Sequence, residues 1–244
     1  MKIRTKKFLI LWILAIICTI LILPYLLNIQ AEALAKANIS TSFLILIAII
    51  QGTVIFGLAA FFGLILAEKV GFNLPLLNAW LDHKKINYKK TLFLAIISGA
   101  IVGLLIILLD KFLFNQLVIL NVPLWQGFLA SFYGGIAEEI IMRLFLMTLL
   151  VFIILKIFRK KEKNSTIVWI SIIFIAILFG LGHLPITSAL VSITPFVIFR
   201  AILLNGIGGI VFGLLYWKKG LEAAIISHFT ADIFIQIIMP LVFR

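Results

Sequence analysis

Long apolar runs separated by short polar, mostly basic stretches make up almost the whole chain. About 20 residues at 1.5 Å rise span the hydrocarbon layer of a bilayer, so each run is read as one crossing helix. Seven satisfy this, at about 8–27, 41–67, 91–109, 124–156, 166–183, 195–217 and 221–239. The longest polar connection, about Glu68 to Lys90, leaves no room for a soluble domain and predicts one short interfacial helix at Leu76–Leu81. The predicted fold class is therefore all-α: a polytopic membrane helix bundle of about seven transmembrane helices with an intramembrane polar cavity.

Composition agrees with that pattern. Hydrophobic residues are 64% of the chain, charged residues 12%, and mean hydropathy is +1.27, well outside the soluble range. The net charge of +12 is not a nucleic-acid footprint, because no basic stripe alternates with exposed aromatics on a soluble face. It is distributed by loop. Lys2, Arg4, Lys6 and Lys7, then Lys69, Lys84, Lys85, Lys89 and Lys90, then Lys156, Arg159, Lys160, Lys161 and Lys163, then Lys218 and Lys219 fall between alternate segments. Only Lys36, Lys111 and Arg244 fall on the other side. By the positive-inside rule this places the N-terminus in the cytoplasm and the C-terminus outside, in a multi-pass protein of the cell membrane.

The basic start and Ala31-Glu32-Ala33 resemble a signal peptide with its cleavage site. The first apolar run is nevertheless too long for a signal h-region and is expected to remain as an anchor. Cys18 is the only cysteine, so neither an intrachain disulfide nor a thiolate metal cluster is available, and it is read as a small hydrophobe. His83 is expected to be solvated.

Charges inside the apolar runs change the picture. An ionised side chain at mid-bilayer costs about 2.5–3.5 kcal/mol on insertion scales, so Glu138, Glu139 and Arg143 in one run must face a polar interior. On an α-helix the two glutamates point about 100° apart and so serve different roles. Glu139 and Arg143 are spaced i, i+4 with the acid first, the favourable order for an ion pair. Glu138 is left for another part of the interior. His183 ends the fifth run after Gly180 and Gly182. His228 and Asp232 share a face of the seventh at i, i+4. Two histidines and a spare carboxylate on three helices meet the requirements for activating water. Arg200 and Glu222 are expected to snorkel to the interfaces. Gly206, Gly209 and Gly213 are read as a packing seam. Chemistry thus divides the chain into a three-helix N-terminal scaffold, 1–123, and a four-helix catalytic core, 124–244.

These residues also carry a resemblance. Glu138-Glu139-Ile140-Ile141-Met142-Arg143 resembles the EExxxR motif, Phe179 to His183 the FxxxH motif, and His228 to Asp232 the HxxxN/D motif. All three belong to the type II CAAX-processing and bacteriocin-processing intramembrane proteases, the Abi or CPBP family. The resemblance implies a membrane-embedded endopeptidase acting on a peptide or membrane-protein substrate within the lipid. Glu138 would activate water, His183 and His228 would assist or stabilise the oxyanion, and Glu139 and Arg143 would support the site. Asp232 stands where the family often has Asn. An ionised carboxylate cannot donate to an oxyanion, so Asp232 must be protonated, orient His228 or bind a metal.

The residues admit two mechanisms. In one, zinc is held by His183, His228 and Glu138 or Asp232 and lowers the pKa of its water. In the other, which the reading favours, no cofactor is required and Glu138 is itself the general base. A non-proteolytic membrane scaffold or immunity protein on the same fold is the alternative function. A small transporter is disfavoured by the lack of inverted repeats.

Overall fold

The long apolar runs coil into helices because a backbone in lipid must satisfy its own hydrogen bonds. A computed structural model describes residues 3–31, 34–35, 40–115 and 120–243; Lys2, Glu32, Ala33, Lys36 and Arg244 lie outside the described residues. Seven helices are long and apolar enough to cross a membrane. They are α1 (Ile3–Ile29), α2 (Thr41–Val70), α4 (Lys89–Phe112), α5 (Leu124–Ile157), α6 (Ser165–Gly182, prolonged as far as Ser188 by the short α7, Leu184–Ser188), α8 (Pro195–Lys219) and α9 (Leu221–Phe243). The short α3 (Pro75–Leu81) lies where the interfacial helix was expected. The protein is an all-helical, multi-pass membrane protein.

Contacts between distant residues define two ends. At one, Arg4 pairs with Glu68 at 3.4 Å, the Leu221 amide donates to the Asn73 carbonyl at 3.1 Å, and the Lys163 ammonium donates to the carbonyls of Val70 and Gly71 at 2.6 and 2.9 Å. These last bonds cap α2 where its own carbonyls run out of partners. Partial burial lowers the Lys163 pKa, and Glu162 opposes that shift. Two glycines in positive-φ conformations make the tight turns here, Gly71 after α2 (φ 70°) and Gly220 between α8 and α9 (φ 100°). At the opposite end Asn28 donates to Gln126 at 3.2 Å, Arg200 pairs with Asp110, and Lys111 lies 4.1 Å from the Phe243 ring centroid. The first end carries nearly all the basic loop residues and is called the basic end.

Glu222 does not snorkel to the interface. Its carboxylate accepts the Leu77 amide at 2.8 Å in the first turn of α3, an orphan helix donor that a carboxylate suits. His83 is exposed, as expected, in a left-handed turn. Cys18 packs in the interior with Leu11 and Ala15 rather than against lipid.

Small residues let the helices approach closely, since lipid provides no hydrophobic drive to pull them together. Gly209 and Gly213 of α8 face Ala176 and Ile172 of α6, so the expected seam exists, and Gly180 of α6 lies against Ile202 of α8. Helix α9 is gripped from two sides. Gly99 and Gly103 of α4 press on Ser227 and Ala231, and Gly127, Gly134 and Gly135 of α5 press on Gln236, Asp232 and Phe229. This grip sets the position of His228. A side chain at Gly99 would collide with the Ser227 carbonyl, so Gly99→Val is expected to cost about 1–3 kcal/mol and lower the thermal unfolding midpoint in detergent. Gly182→Ala, whose added carbon meets nothing within 4 Å, is expected to leave it unchanged. Scanning fluorimetry of the two variants side by side checks this, and an unshifted Gly99→Val would contradict the tight α4–α9 contact.

Candidate functional site

Helix α5 is not α-helical throughout. Tyr133–Glu138 and Ile140–Met147 are π-wound, between α-helical ends at Leu124–Phe132 and Thr148–Ile157. Such i→i+5 winding is rare and concentrates at functional sites. The Thr148 hydroxyl donates to the Arg143 carbonyl five residues back at 3.0 Å and shares a 2.9 Å hydrogen bond with the Tyr216 hydroxyl of α8. Glu138 and Glu139 sit at the junction of the two π segments and diverge as expected. The Glu139 side chain is fully buried, while that of Glu138 remains 26% exposed.

The expected Glu139–Arg143 pair forms, at 3.2 Å between Oε2 and Nε. Its N–H is not aimed at the oxygen, so it is a charge contact rather than a hydrogen bond. The guanidinium also faces two aromatic rings, at 5.3 Å from the Phe179 centroid and 6.0 Å from Phe212. A cation desolvated against ring faces gains from their quadrupoles, which compensates in part for the missing hydrogen bonds.

Sequence reasoning missed the second partner of Glu139. Its other oxygen, Oε1, lies 3.0 Å from Nδ1 of His228, 89 residues away on α9. A carboxylate as well placed as this accepts a hydrogen bond from Nδ1–H, so Nε2 is the nitrogen turned toward the remaining carboxylates. Nε2 stands 4.0 Å from Glu138 Oε2 and 3.7 Å from Asp232 Oδ1. The imidazole is held flat by Phe212, stacked at 4.5 Å with an 18° interplanar angle, and at its edge by Phe179 at 5.6 Å. Gly134 allows Asp232 its place, because a Cβ there would strike the carboxylate.

His183 occupies the end of α6. Its Nδ1 lies 2.8 Å from the Phe179 carbonyl, an acceptor, so Nδ1 again carries the proton. Its ring meets Phe179 edge-on at 4.7 Å. Phe179 therefore touches both histidines.

All four central residues, Glu138, His183, His228 and Asp232, line one cavity of about 940 Å³. Helices α1, α2 and α4 supply walls to it through residues such as Thr19, Gln51 and Ile107. The alternative zinc mechanism drew its ligands from His183, His228 and Glu138 or Asp232. Among the described residues no three His, Cys, Asp or Glu side chains gather in a group able to hold a metal ion.

Arg200 corrects a second expectation. It does not reach for the interface; Nε and Nη2 donate to both oxygens of Asp110 at 2.6 and 2.5 Å, in a bidentate pair on the cavity wall. The signal available in the sequence was depth. Both residues lie about one turn inside the same end of their runs, with opposite charges. Asn205, which carried no assigned role, turns its amide to the Ala201 carbonyl at 2.9 Å and also lines the cavity.

Arg143→Leu leaves Glu139 without its cation in a buried site, and is expected to destabilise the protein by about 3–5 kcal/mol. Adding Glu139→Gln removes the stranded charge and is expected to recover part of that loss. Detergent thermal unfolding of the single and double variants measures both steps; equal midpoints for wild type and Arg143→Leu would show the pair to be unimportant.

No curated protein and no solved structure matches the chain. A family profile does, the type II CAAX prenyl endopeptidase Rce1-like family, over residues 119–234. That stretch holds Glu138, Glu139, Arg143, His183, His228 and Asp232, together with both π segments and most of α9. The family is one of membrane peptidases, and residues 119–234 of this chain match its profile.

Proposed function

We propose that the protein is an intramembrane endopeptidase that hydrolyses a peptide bond near the membrane, CAAX-type or in bacteriocin-like peptide processing, with Glu138 as the general base. The observation that carries this reading is the position of Glu138. It is the carboxylate of the glutamate pair that Arg143 does not hold and that opens to the cavity, 4.0 Å from His228 Nε2.

Glu138 takes a proton from a water molecule as the water oxygen attacks the scissile carbonyl. The tetrahedral intermediate collapses with cleavage of the C–N bond, and the protonated Glu138 returns the proton to the leaving amine. Both histidines spend their Nδ1 protons on acceptor oxygens, so each donates to the oxyanion from Nε2 only as the imidazolium. Glu139 keeps His228 oriented, Arg143 holds Glu139 in place, and Asp232 balances charge beside His228 Nε2. No step needs a metal, and none is routed through one.

Glu138→Gln keeps the shape and removes the base. It is expected to lower processing by about 10²–10⁴-fold with the folded fraction in membranes unchanged. Comparative proteomics of membranes holding wild-type or Glu138→Gln protein identifies the substrate as the polypeptide that accumulates uncut; matching cleavage patterns would eliminate Glu138 as the base. His183→Gln, which retains an N–H donor, is expected to keep more activity than His183→Ala. Cleavage rates of the three proteins on the substrate so identified check this. Equal rates for the two variants would remove the His183 N–H from oxyanion stabilisation.

A further inference from the structure

We infer that the cavity is filled from the extracytoplasmic side by an extended, uncharged, apolar peptide segment of an exported peptide or protein. This rests on the intramembrane-peptidase reading of the site and adds to it the direction and chemistry of the substrate.

The direction comes from two independent observations. First, the cavity lies in one half of the bundle. From α1 it takes residues between Thr19 and Gln30, from α4 those between Ile106 and Asp110, and from α8 those between Arg200 and Phe212. The α1 and α4 stretches lie toward the ends remote from the basic loops, and the α8 stretch runs from near that end to just past the middle of its helix. The cavity reaches that end at Leu120, Leu190 and Met239 and stops at the depth of Phe56, Met142, Phe212 and His228. The basic half is filled instead by packed side chains, among them Leu64, Val70, Phe72, Leu155, Ile167, Tyr216 and Leu221. A chain arriving through the basic end meets a solid core. Second, 16 basic residues flank the helices at that closed end, and 3 are at the other. An asymmetry of this size in short loops sets the basic end in the cytoplasm. The mouth then faces outward.

The chemistry comes from the walls. At about 940 Å³ the space is at the upper limit for a single small-molecule site, which suits a stretch of peptide rather than one side chain. The charged pair near its mouth, Asp110 and Arg200, is bound to itself in bidentate fashion. Apart from the catalytic candidates Glu138, His183, His228 and Asp232, the rest of the described lining is aliphatic, aromatic or neutral polar, with Gln51, Asn205 and Tyr133 available to backbone amides. A charged side chain held against that remaining wall finds no counter-ion and carries its full desolvation cost.

The test uses single cysteines placed in a Cys18→Ala, Glu138→Gln background, so that neither labelling nor binding depends on turnover. Leu190→Cys reports the mouth, Gln51→Cys the wall and Lys161→Cys the basic loop. A membrane-impermeant maleimide is applied to intact cells and to inverted vesicles. The expected result is labelling of the first two in intact cells and of Lys161→Cys only in inverted vesicles. Prior incubation of cells with a synthetic Leu/Ala/Phe peptide is expected to slow labelling of Gln51→Cys several-fold, and the same peptide with a central Lys to have no effect. Labelling of Leu190→Cys and Gln51→Cys only in inverted vesicles overturns the direction. Equal protection by both peptides, or by neither, overturns the substrate chemistry. Either result leaves the assignment of Glu138 standing, because that is decided by the processing comparison.

Discussion

A single buried carboxylate, Glu139, holds the site together. It faces a guanidinium on its own helix through one oxygen and an imidazole on α9 through the other, all in an environment that forbids leaving any of the three unpaired. Arg143 supplies charge, Glu139 transmits it, and His228 receives both an orientation and a fixed Nδ1 proton. The packing around α9 follows from that constraint. Its glycine contacts with α4 and α5 bring the histidine within reach of a side chain 89 positions away, and Phe212 and Phe179 hold the ring at the required angle.

The π-wound stretch of α5 serves the same end. Adjacent residues diverge on any helix, and at the junction of the two π segments one glutamate is sealed and the other accessible. Thr148 and Tyr216 close the backbone hydrogen bonding where the winding returns to α-helical. Glycines 134 and 135 thin the helix at its contact with Asp232 and Phe229. Unusual winding, small residues and buried charge occur within fifteen positions. Each makes the others tolerable: close approach excludes lipid, exclusion strengthens the charge contacts, and those contacts stabilise the geometry.

The remaining polar interactions build the bundle rather than the chemistry. Asp110 with Arg200 binds α4 to α8 where the cavity nears the surface, and Glu222 joins α9 to the interfacial α3 at the closed end. Both partnerships were absent from the sequence reading for one reason. A charge near the end of an apolar run has two physical solutions, water at the interface or a partner on another helix, and helix length alone does not choose between them.

Hydropathy alone determined the seven spans to within a few residues, because lipid leaves the backbone no alternative to long helices. Spacing alone determined the Glu139–Arg143 pair, a local contact that helical geometry enforces, and the motifs at Glu138, His183 and His228 identified the family. Only the tertiary structure decided that Glu139 also holds His228, that Phe179 touches both histidines, and that the cavity reaches one end of the bundle and not the other. Those are statements about depth, rotation and distance between helices far apart in the chain. They depend on which glycines meet which neighbours, a property of the packed bundle that no single apolar run carries.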